Sequence, residues 1–91
     1  MTTIRLPAQL GSTTISSLYS TLAPHVHDRQ AVVLDAGDVS YLEASALQLL
    51  AVFVRIRTHE GYPTQWRTPS KALRDGAASA GLIPTLGLSG A

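Results

Sequence analysis

Polar and apolar residues alternate from Thr2 to Leu6, and the alternation stops at Pro7. A period of two sends successive side chains to opposite faces of a strand, and a proline cannot donate the next ladder bond, so this segment predicts a short edge strand. After Gly11 the period changes. Ile15, Leu18, Leu22 and Val26 recur at spacings of three and four, which is one face of a helix, with Ser12 or Thr13 placed to cap its first turn. Pro24 removes a backbone donor and crowds the preceding turn, so the helix should kink or end close to Ala23.

Ala31 to Leu34 is a compact apolar run closed by Asp35 and by Gly37-Asp38, the pattern of a buried central strand followed by a turn. A second helix is expected from about Glu43 to His59, where Gly61 offers a left-handed cap and Pro63 forbids continuation. Gln65 to Arg67 predicts a third strand with Trp66 as its inward anchor. Ser70 then caps a helix over Lys71 to Ala80 that presents Leu73, Ala77 and Ala80 on one face and stops at Gly81, before a Leu82-Ile83-Pro84 segment and a tail expected to fray from Thr85.

Strands that alternate with helices require crossover connections and hence a mostly parallel sheet. In 91 residues such a chain makes one domain, and it lacks the length to cover both faces of a sheet with helices. The expectation is therefore an α/β fold with a small three- or four-stranded, mostly parallel sheet and its helices on one face.

Composition narrows the chemistry. With no cysteine there is neither a disulfide framework nor a thiolate metal site, which fits a reducing, cytoplasmic setting. The longest dense apolar stretch, Leu47 to Val54, is too short to cross a bilayer, so no membrane insertion is expected. A net charge of +1 gives no strong pull toward nucleic acid, and Arg55, Arg57, Arg67, Lys71 and Arg74 read as solvated residues on separate elements. His25, His27 and His59 have no carboxylate motif in register and read as exposed residues, so no metal and no cofactor is expected. Asp35 ends a strand, but the acidic pair a phosphoaspartate site needs is not evident in the N-terminal strand, and a turn aspartate is the preferred reading. No nucleophile elbow and no glycine-rich phosphate loop is present, so no enzyme is expected.

The most informative stretch runs from Val32 through Asp35-Ala36-Gly37-Asp38-Val39-Ser40-Tyr41-Leu42 to Glu43-Ala44-Ser45-Ala46-Leu47-Gln48-Leu49-Leu50. It resembles the signature of the STAS family, named for sulfate transporters and anti-sigma factor antagonists, in which a buried strand and a short apolar step lead to an Asp-Ser-Ser/Thr-Gly-Leu-like helix start. The likeness extends over nearly the whole chain in element order and is one of pattern more than identity. Glu43 stands where the family usually has Asp, Ala44 where regulated members carry a phosphorylated Ser or Thr, and Ala46 where Gly is common.

The resemblance implies a bacterial signalling protein without catalysis, whose signature loop and helix start (Glu43, Ala44, Ser45, Ala46) regulate or bind a partner such as a kinase or anti-sigma factor. An accessory subunit of an Mla-type phospholipid transporter, contacting its ATPase subunit, is the alternative, and nucleotide binding a third reading. Ser45 is the one hydroxyl from Glu43 to Leu50, but a helical residue one position on points about 100° away from the family's acceptor. Ser40 and Glu43 form a capping-box pattern that would start the helix near Tyr41; the resemblance favours the later start. Independently of family, Leu47, Leu49, Leu50, Val52, Phe53, Val54 and Ile56 cover more of the helix than one sheet face requires. Either neighbouring helices hide the excess, or Leu49, Val52, Phe53 and Ile56 form a patch for a partner or a second copy in a homodimer.

Overall fold

The computed structural model describes residues 2–88. Their order is β1 (Thr2–Arg5), β2 (Gln9–Leu10), α1 (Ile15–Leu22), a 3-10 turn (Ala23–His25), β3 (Val32–Asp35), β4 (Tyr41–Leu42), α2 (Ala44–His59), β5 (Thr64–Arg67), α3 (Lys71–Ser79) and α4 (Ile83–Leu86). The three longer strands make a parallel sheet in the order β1-β3-β5, with rows Thr3, Val33, Gln65 and Ile4, Leu34, Trp66 across it. The expected α/β architecture, with β1 at an edge and the apolar β3 in the centre, is what forms.

One face of this sheet carries the core. Ile4, Val32 and Leu34 pack with Leu18 and Leu22 of α1, Leu47, Leu50 and Val54 of α2, and Leu73 and Ala77 of α3. The other face presents Thr3, Arg5, Gln65 and Arg67 to solvent, with Arg5 ion-paired to Asp38 at 2.7 Å. Parallel sheets are ordinarily covered on both faces. Here polar side chains flank a single buried valine, Val33, on the outer face and take the place of a second helical layer, which is how so short a chain closes a parallel fold.

The local stop signals act as their chemistry requires. α1 ends at Leu22 and Pro24 sits inside the 3-10 turn that follows. Gly61 and Gly81 take φ of 82° and 70°, the left-handed region that favours glycine at helix ends. Ser70 accepts a hydrogen bond from the Leu73 amide at 3.1 Å.

Three expectations need correction. Neither Ser12 nor Thr13 caps α1; the cap residue is Thr14, whose hydroxyl accepts from the Gly11 amide. Ala80 lies outside α3 and is exposed. The segment after Gly81 is not frayed through Leu88: it forms α4, and Leu86 and Leu88 are buried, with the Trp66 indole N–H donating to the Leu86 carbonyl at 2.8 Å. The rest of that expectation, residues 89–91, lies outside the described residues. Among the described residues, no helix is long and apolar enough to cross a membrane.

Candidate functional site

The signature loop is held by a second, two-stranded parallel sheet that joins β2 to β4, pairing Gln9 with Tyr41 and Leu10 with Leu42. Ser40 and Tyr41 donate their amides to the Ala8 carbonyl, and Glu43 donates to Leu10 O at 2.8 Å. This small sheet fixes where α2 begins. Glu43 is the extended cap residue and Ala44 the first helical one, so the later start is correct and the Ser40–Glu43 capping box does not form. The Glu43 carboxylate turns away from its own helix and accepts the Ser12 amide across the loop before α1. Gly11 permits this, because a Cβ there would occupy the position of the carboxylate.

At the helix start Ala44 and Ser45 are exposed, whereas Ala46 is completely buried and cannot meet a partner. From Ser45 the helical spacing lines up Leu49, Val52, Ile56 and His59 on the outward side of α2, a row of roughly 21 Å. Val52 is 46% exposed, Ile56 37%, and Tyr19 on the neighbouring α1 61%.

Two depressions flank this row. One, of about 160 Å³, runs between α1 and α2 and is lined by Tyr19, Leu22, Val26, Leu49, Phe53 and Ile56. The other, of about 920 Å³, lies toward α4 and is bordered by Arg55, Thr58, His59, Pro84 and Leu86; Val52 and Ile56 border both. All four residues of the expected docking face thus come together, but not in equal roles. Phe53 is only 3% exposed and forms part of a trough wall, because its place on the helix turns it into the core. Leu49, Val52 and Ile56 supply the accessible surface.

The residue that sequence reasoning placed wrongly is Arg57. It is fully buried, and its guanidinium spends every N–H on protein acceptors. Nε donates to Thr64 Oγ1 at 2.8 Å, Nη1 to the carbonyls of His25 and Asp28 at 2.8 Å, and Nη2 to those of Gln30 and Pro63 at 2.9 and 2.8 Å. Burial draws the pKa of this group below the ordinary arginine range, while the charges of Asp28, Glu60 and Tyr62 oppose that shift. The guanidinium also lies near two aromatic rings, with Cζ 5.8 Å from the Phe53 ring centroid and 6.0 Å from that of Tyr62. The available signal was the helical wheel, which puts Arg57 on the side of α2 opposite Val52.

Two of the histidines read as exposed residues are engaged around this clamp: His25 meets Asp28 at 2.8 Å, and His27 meets Glu60. Asp35 accepts the Gly37 amide at 3.2 Å, the turn role expected of it. Among the described residues, no three histidine or carboxylate side chains converge in a way that could hold a metal ion.

What fold and site define is a small α/β module with a parallel sheet, an exposed helix entry and an apolar row on its second helix. No family model, no curated protein and no solved structure matches the chain.

Proposed function

We propose that this chain is a STAS-type docking module that works by binding another protein through the outer row of α2, in a bacterial partner-switching or chemosensory pathway. The observation that carries the reading is the continuity of that row. Ser45, at the entrance where the STAS pattern places regulation, shares one exposed helix side with Leu49, Val52 and Ile56. A charge added at Ser45 would therefore sit on the same surface that a partner covers, beside first-turn amides that favour an anion. Ala44 is exposed but has no hydroxyl, so a switch of the usual kind at that position is replaced either by Ser45 or by permanent readiness to bind.

Recovery of tagged protein from its native cells tests this. The expected companion is a signalling kinase or anti-sigma factor, lost on Val52→Arg and weakened by Ser45→Glu. A transporter ATPase subunit in its place assigns the chain to phospholipid transport, and a partner indifferent to Val52→Arg rejects the docking row. Phosphopeptide mapping after incubation with the recovered kinase decides the switch at Ser45: label elsewhere, or none, removes it.

A further inference from the structure

Val52 and Ile56 stand as a ridge between two troughs, and the troughs differ in charge. On one side α1 carries no charged residue from Ile15 to Leu22. On the other, Arg55 and His59 are exposed one helical turn apart, and among the described residues no carboxylate is ion-paired with either. Glu60, the one acid among the described residues that border this trough, is engaged by His27.

From these features we infer that the occupant of the surface is an acidic amphipathic helix of another protein. Its apolar stripe seats across Val52 and Ile56, and its carboxylates meet Arg55 and His59. This rests on the docking reading of α2 and adds the chemistry of what docks. A ridge between grooves is the shape that a second helix packs against, using anchors three and four residues apart. Arg55 contributes a permanent charge in the planar fork that suits a carboxylate.

Charge also separates this partner from a second copy. A symmetric dimer would place the same patch on both sides, yet α1 and α2 together contain no aspartate or glutamate. In such a pairing the acid of this trough that Arg55 could meet, among the described residues, is Glu60, which His27 already engages. A different, acidic surface complements these faces better.

Three labelled synthetic helices of about five turns test the inference, sharing one leucine stripe and differing in flanking Glu, Lys or Gln. Each is titrated into the full chain and followed by fluorescence anisotropy. The Glu helix should bind about 10-fold tighter than the Lys helix, a preference that fades with added salt. Arg55→Glu should reverse that order, and Val52→Arg should abolish binding. Both residues are exposed, and circular dichroism checks that the variants remain folded.

Equal affinity for the Glu and Lys helices, binding of none of them, or binding that survives Val52→Arg overturns the proposal. So does a dimer in sedimentation that Val52→Arg dissociates, because the occupant is then a second copy. If all three helices bind alike and Val52→Arg still removes the native partner, the acidic occupant is rejected while the docking row stands. If the native partner also ignores Val52→Arg, both are rejected.

Discussion

The two ends of α2 are secured by opposite means. At the C-terminal end a buried guanidinium ties the helix to the loop before β3 and to the start of β5 through one hydroxyl and four carbonyls. At the N-terminal end the helix emerges from a two-residue strand pair, and its cap residue directs a carboxylate to the loop before α1. The first arrangement makes a charge costly to disturb, because five hydrogen bonds converge on one buried group and are lost together with it. The second leaves Ala44 and Ser45 in water. A helix anchored at one end and exposed at the other can change at its entrance without unfolding, which is the division of labour that the proposed docking role needs.

The largest expected effect is at the anchored end. Arg57→Leu removes five hydrogen bonds, of which the carbonyls of His25 and Pro63 keep a backbone donor from Asp28 and Val32, and should cost about 4 kcal/mol in urea unfolding. That is a large share of the roughly 5–14 kcal/mol a domain of this length has in total. Arg57→Lys keeps the charge but not the forked donors, and should lose about half as much, ~2 kcal/mol. If both variants unfold at the wild-type midpoint, the clamp contributes nothing and the comparison fails.

At the entrance the effects should be smaller. Gly11→Ala displaces the Glu43 carboxylate and should cost about 1.5 kcal/mol, and Glu43→Ala about 1 kcal/mol, since each breaks the same charge-assisted bond to Ser12. The double variant should be no worse than Gly11→Ala alone, because the alanine at 11 then has an empty site to enter. Simple additivity of the two losses would show that glycine is required there for another reason.

Ser45→Asp puts an acid into a first turn that has none, and should raise stability by about 0.5 kcal/mol, an increment that salt removes. An unchanged midpoint at low salt would mean that the helix dipole is not felt there. Smallest of all, Val52→Ser should shift stability by no more than about 0.5 kcal/mol, since the residue is nearly half exposed in the free chain. A loss several times larger would place Val52 in the core and deny it to any partner.

How much of this was legible in advance follows from where each signal resides. The edge strand, the break at Pro24, the central strand, the glycine ends of α2 and α3 and the Ser70 cap were all readable, because each depends on residues within a turn of one another. The β2–β4 pair was not, since two residues are too few to display a period and their partners lie about thirty positions apart. At the candidate site the row through Ser45, Leu49, Val52 and Ile56 could be drawn on a wheel. That Phe53 and Ala46 turn inward became evident only once neighbouring elements were packed around α2.

Arg57 gives the sharpest contrast. By type it belonged in water, and only its place on the helical wheel, opposite Val52, said otherwise. Its burial depends on carbonyls at His25, Asp28 and Gln30, contributed by a loop that reaches it only because α1 and β3 fold back over α2. Sequence alone determined the alternation of strands and helices, and with it the parallel sheet, since backbone propensity and hydrophobic period are local properties. Which polar groups were buried, which apolar ones stayed outside and what the two ends of α2 hold were decided by tertiary structure, because desolvation depends on everything that surrounds a side chain and not on its place along the chain.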